Sequence, residues 1–197
     1  MTKPGIDLYW LPLGAGGHFV HFNGKVYESI VARRDHRAPL DLFHTALEVT
    51  VPEGRFVIEN AWPIPDGGGE ERGVTVQGPV WSRRLGLLRA LRYEVRCWRS
   101  GVIPDSAEAI DSPERVSDDE AAARRILELT SDVPALVWGR RPGRATEMWN
   151  SNSVIAWLLV RGGINVENIR PPAGGRAPGW STGVALAQTS FAQVHMS

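Results

Sequence analysis

The run Asn150-Ser151-Asn152-Ser153 passes directly into Val154-Ile155-Ala156-Trp157-Leu158-Leu159-Val160 and then into Gly162-Gly163. Each of the four polar residues can cap a helix, and paired glycines suit the left-handed stop at a helix C-terminus. The spacing predicts a single helix, apolar on nearly every side and therefore packed on most of them. With Asn150 as the cap, Ser151 is the first helical residue and shares a face with Val154, Ile155 and Leu158. A hydroxyl there is suited to nucleophilic attack, because free backbone N–H groups and the helix dipole favour developing negative charge. Asn150 and Asn152 flank it as positioning groups, and the backbone N–H of Ser151, with an amide of Asn152, is the candidate oxyanion hole. The structural alternative is a richly provided N-cap that does no chemistry.

A serine nucleophile needs a base, and His44 is the candidate. It lies at the entry of the clearest hairpin in the chain, residues 42–51 and 55–62, joined by Pro52-Glu53-Gly54. A two-residue loop sets Ala46 opposite Glu59, gathers Leu47, Val49, Phe56 and Ile58 on one face and leaves His44 with Glu59 on the other. A type I turn with a bulge at Gly54 gives His44 the company of Asn60 instead. Either register supplies a polar neighbour able to orient the imidazole. A histidine at a strand start also serves as an ordinary structural residue.

The other elements must position these groups. Residues 6–13 read as a strand, and the glycines at 14–17 lack both the Gly-Lys-Ser/Thr ending and the dinucleotide spacing, so no phosphate loop or cofactor is expected. Residues 25–34 carry helical spacing. His18 and His21 have no third ligand nearby and read as ordinary residues. After a glycine-rich excursion at 63–73, residues 74–80, 85–91 and 91–98 read as strand, short helix and strand, with Cys97 on the side of Val95. Residues 101–113 read as a loop. Ser117-Asp118-Asp119-Glu120 reads as a capping box opening a helix to Leu129. Residues 134–144 form a loop. The stretch from Arg170 to Trp180 is too rich in proline and glycine for a regular element; Arg176 and Trp180 are candidates to close over a ligand from it, with packing as the alternative. Residues 184–187 read as a last strand.

The chain has 197 residues, a length suited to one domain with a real core. Its 22 basic and 22 acidic residues cancel, and the basic ones look scattered, so neither nucleic acid nor a membrane is an expected partner. Cys97 is the only cysteine, which excludes an internal disulfide and a cysteine-based metal site. No metal ligand set is discernible. The N-terminus has no apolar leader and no segment has the length of a membrane span, so the expected setting is the cytoplasm.

The order of His44-Thr-Ala-Leu-Glu-Val on a hairpin and Asn150-Ser151-Asn152-Ser153 at the head of an apolar helix resembles the circularly permuted NlpC/P60-like branch of the papain-fold enzymes. It is also similar to an uncharacterised bacterial family marked by Asn-Ser-Asn, an apolar helix and a Pro-Pro loop, here Pro171-Pro172. The resemblance covers roughly residues 40–163. It implies an α+β fold, with a central buried helix on an antiparallel sheet. By this resemblance His44 matches the family histidine, Ser151 stands where the family has a nucleophilic cysteine, and Glu59 or Asn60 fills the orienting position. The expected activity is hydrolysis or acyl transfer on an amide or ester of a small molecule or peptide. The alternative is an inactive relative that keeps the cleft for binding. Serine in place of cysteine sharpens that choice, since a hydroxyl needs a base in direct contact where a thiolate does not.

Overall fold

A computed structural model describes residues 3–13, 33, 36, 38–62 and 73–194, without the side chains of 85 and 190–194. Seven strands form one sheet: β1 (Gly5–Pro12), β2 (Asp41–Val51), β3 (Gly54–Ala61), β4 (Val74–Pro79), β5 (Arg92–Arg99), β6 (Ile110–Ser117) and β7 (Gly175–Arg176). The order is β4-β5-β3-β2-β1-β6, antiparallel throughout, and β7 adds a short parallel pairing to β2. The described residues also form the helices α1 (Glu120–Leu129), α2 (Ser151–Arg161) and α3 (Trp180–Val194). The expected helix at 25–34, the glycines at 14–17, His18, His21 and residues 63–72 lie wholly or largely outside the described residues.

The hairpin takes the two-residue loop. Val51 pairs with Gly54 and Leu47 with Ile58, so the next pair outward is Ala46 with Glu59. Alternation then fixes two faces. On one face Leu8, Trp10, Phe43, Leu47, Val49, Ile58, Tyr93 and Val95 form the main core with α1 and α2. On the other, Leu11, Ala46 and Val57 form a smaller core with Ile103. The described helices that pack on the sheet thus share one face, and the segment after β5 covers part of the other.

Helix α2 is the core helix. Residues 152–159 are all buried, with Leu158 fully so and Trp157 4 % exposed. Burying such a helix on all sides removes about 25 cal/mol per Å² of apolar surface from water, which is why it sits between sheet and α3. α3 packs close because Gly183 lies on the Ser153 backbone: a Cβ there would come within 2.2 Å of the Ser153 carbonyl oxygen.

Three expectations are corrected. Residues 184–187 belong to helix α3; the stretch is short and apolar, so its periodicity fits helix as well as strand. Residues 110–113, read as loop, open the strand β6. It lies at the sheet edge, where Pro113 forfeits no needed ladder bond, and two register shifts interrupt its pairing with β1. It is held by polar links: Arg115 grips Asp7 at 2.7 and 3.0 Å, and Trp10 Nε1 donates to Glu114 at 2.9 Å. Finally, α1 begins two residues later than a Ser117 cap implies, because Asp119 takes the cap and accepts from the Ala121 N–H at 2.9 Å.

Candidate functional site

The head of α2 is capped as its sequence implies. Asn150 is extended (φ −160°), its side-chain oxygen accepts the Ser153 N–H at 3.2 Å, and Ser153 Oγ accepts the Asn150 N–H at 3.1 Å. That is a capping box built from Asn and Ser, satisfying orphan groups in both directions. Ser153 Oγ donates onward to the Gly179 carbonyl at 2.7 Å, and Asn150 Nδ2 to the Pro178 carbonyl at 2.8 Å. Gly179 has φ +86°, and a Cβ there would meet Asn150 Oδ1 at 2.4 Å, so the turn before α3 fits the cap only as glycine. Asn152 reaches the sheet instead. Its Nδ2 donates to the carbonyls of Phe43 and Pro178, each at 2.9 Å, and its Oδ1 accepts from Thr45 Oγ1 at 3.0 Å. The amides of Asn150 and Asn152, expected as positioning groups, are thus spent on joining α2 to β2 and to the turn before α3. Ser151 is the first helical residue and is half-buried.

Asn152 brackets His44 by bonding its two chain neighbours, yet the imidazole points elsewhere. Phe43 joins the main core and Thr45 bonds α2 on the helix face, so alternation turns His44 to the opposite face, where its β1 partner is Leu11 of the smaller core. Burial there lowers its pKa to about 4, opposed only in part by the negative charge of Asp105. The ring is therefore neutral at pH 7. Glu59 occupies the same face and is tied to Arg96 at 3.5 Å, a guanidinium that also grips Glu94 at 2.7 Å. All three are buried. Asn60 alternates to the helix face, and its buried Nδ2 has no hydrogen-bond partner among the described residues. The structure therefore brings His44 and Glu59 to one face and leaves Ser151 with α2 on the other. Alternation thus turns the imidazole away from the face on which α2 packs, whereas proton transfer needs it in direct contact with the hydroxyl. Cys97 is packed against the main core, and burial pushes its thiol up to about 11.

The groups that do converge are Arg176 and Trp180. With Thr146, Glu147, Arg170 and Pro171 they line a cleft of about 540 Å³ at the start of α3. Glu147 organises it. One carboxylate oxygen takes Arg176 Nη2 at 2.5 Å; the other accepts the Gly179 N–H and the Ser181 hydroxyl, both at 2.9 Å. A carboxylate at a helix N-terminus is favoured by the free N–H groups and the dipole there. Trp180 is fixed by the Trp10 ring at 5.5 Å. Arg170 is exposed at the rim, its Nη1 on its own neighbour's carbonyl. Glu147 was not singled out in the sequence, where it stands in a loop; its signal is a lone carboxylate a few residues ahead of a helix cap, which becomes meaningful only once α3 lies alongside. Among the described residues no three His, Cys, Asp or Glu side chains gather to hold a metal ion. No described helix is long and apolar enough to cross a membrane. The arrangement can hold a ligand against an aromatic wall beside cations, and among the described residues no histidine is hydrogen-bonded to the Ser151 hydroxyl. Set against protein-family models, curated proteins and solved structures, the chain matches none of them.

Proposed function

We propose that this chain is a non-catalytic binding module on a papain-like, permuted NlpC/P60-like scaffold, acting in the cytoplasm on a small molecule or peptide. The scaffold reading is supported by the core helix opening with Asn-Ser-Asn-Ser against the strand that carries His44. The binding reading rests on one observation above all: Glu147 and Trp10 fix Arg176 and Trp180 on the wall of a single cleft. Pre-fixed polar and aromatic groups lower the ordering cost of binding. The Arg176 charge is balanced by Glu147 and, among the described residues that line the cleft, Arg170 has no carboxylate partner, so the ligand is one with an anionic group next to an apolar or aromatic body. A thermal-shift panel of aromatic carboxylates and short peptides tests this. A binder at a hundred times its Kd stabilises the fold by about 2.7 kcal/mol, and Arg170→Ala or Trp180→Ala removes that shift. If no compound raises the Tm, or if the shift survives both substitutions, the cleft is not the site.

The hydrolase reading, with Ser151, His44 and Glu59 or Asn60, keeps one supporting observation, the hydrogen bonds of the Asn152 side chain to both chain neighbours of His44. Its test is covalent labelling. Under the binding reading a fluorophosphonate leaves Ser151 unmodified; labelling that Ser151→Ala and His44→Ala both abolish would restore the enzyme.

A further inference from the structure

Seven arginines fall in two stretches of the chain that the fold joins. Residues 81–92 contain Arg83, Arg84, Arg89 and Arg92, residues 138–146 contain Arg140, Arg141 and Arg144, and neither stretch holds an acidic residue. The two stretches are joined. The Trp138 N–H donates to the Pro79 carbonyl at 2.9 Å, the Trp81 N–H to the Trp138 carbonyl at 3.1 Å, and Arg140 Nε to the Trp81 carbonyl at 2.7 Å. Every one of these arginines except Arg92 is exposed, and none has a carboxylate partner among the described residues. These stretches also carry three of the exposed large apolar side chains among the described residues: Leu87 is 81 % exposed, Leu88 60 % and Trp81 59 %.

We propose that the face built from residues 81–92 and 138–146 docks on an anionic phospholipid bilayer surface. The chain's zero net charge does not oppose this, because at physiological salt a charge is felt over only about 8 Å, so a membrane senses this face and not the acids elsewhere. Charge selects an anionic partner, and the apolar tips select its kind. A nucleic acid backbone rewards arginines but gives Leu87 and Leu88 nowhere to go. A bilayer rewards both: leucine side chains enter the acyl boundary, indole rings settle at headgroup depth, and guanidinium groups meet phosphates. This is attachment from one side, without a spanning helix.

Vesicle co-sedimentation of the full chain tests the assignment, using phosphatidylcholine alone and phosphatidylcholine with phosphatidylserine. The expected result is pelleting with the phosphatidylserine vesicles only, reversed by raised salt. Each of Arg83→Gln and Arg84→Gln should weaken partitioning about fivefold, the equivalent of ~1 kcal/mol per basic residue. The double variant Leu87→Asp, Leu88→Asp should abolish binding while its melting curve stays that of the wild type. Should that variant misfold, quenching of wild-type tryptophan fluorescence by brominated phospholipid reports insertion without any substitution, and its absence overturns the proposal. Equal pelleting with both vesicles, none with either, or binding of single-stranded RNA with no vesicle binding also overturns it. So does a dimer in light scattering that Leu88→Asp dissolves.

Discussion

Burial on the sheet's second face lowers the His44 pKa to about 4, against about 6.5 in an unfolded chain. Between those values the unfolded state binds the extra proton, so the native state is favoured as pH rises through the window. The contribution is complete above about pH 6.5 and is lost progressively as pH falls towards 4. At 1.36 kcal/mol per unit it is on the order of 3 kcal/mol. Urea unfolding at pH 7 and pH 4.5 should therefore show a loss that His44→Leu largely removes; an unchanged pH profile in that variant would place the ring in water. At the head of α2 the side chains divide differently. Asn150 makes the cap and holds the Pro178 carbonyl, whereas Ser151 does neither. Asn150→Ala should cost about 1–2 kcal/mol and Ser151→Ala under about 0.5 kcal/mol in the same urea measurement. Comparable losses at both positions would mean that Ser151 has a structural partner.

The helix–helix contact carries more energy than either cap. Leu158→Ala should cost about 2–5 kcal/mol, since a fully buried leucine leaves a cavity that the sheet and α3 cannot refill. Gly183→Ala should cost about 1–3 kcal/mol by overpacking, because the atom it meets is the Ser153 backbone, which cannot rotate away. A Gly183→Ala protein as stable as wild type would show that α3 is free to slide. What the sequence revealed and what it hid follow the range of the forces involved. The α2 cap, the β2–β3 hairpin and its alternation, and the packing of Cys97 are local periodicity and local capping, and all could be read in advance. β6 depends on Asp7 and Trp10, more than a hundred residues away, and its Pro113 argues against a strand unless the edge position is known. Residues 184–187 of α3 read as a strand because Val184-Ala185-Leu186-Ala187 is an apolar run too short to show its period. The residues of the candidate site divide between two faces for a topological reason. The register that puts His44 with Glu59 is one of two that the turn residues allow, and the face that α2 covers is set by long-range contacts, among them the Asn152 bonds to Phe43 and Thr45.

Across the whole molecule the two faces of the sheet are unequal, and that inequality should be visible in how the native state opens. The helix face joins β1, β2, β3 and β5 with α1 and α2 in one continuous cluster of buried side chains, while the other face has only Leu11, Ala46, Val57 and Ile103 at its centre, beside the buried charges of Glu59, Glu94 and Arg96. A buried charge cluster resists disruption poorly, since water offers its members the solvation that burial removed. Local opening free energies scale with the apolar contacts that an opening breaks. The segment 101–109, which covers the smaller core through Ile103 and Ala109, should thus open well before α2 does. Native-state hydrogen exchange should show the amides of β2 and α2 protected close to the global unfolding free energy and those of 101–109 exchanging through a lower-energy opening. That opening would admit water to His44 and Glu59, so the opening free energy of 101–109, taken from exchange rates corrected for the slower intrinsic exchange in acid, should fall as pH falls from 6.5 towards 4, the imidazole gaining its proton only in the open form. If 101–109 exchanges as slowly as α2, or if its opening is insensitive to pH, the two faces form one cooperative unit and the charges on the second face are as firmly held as the core.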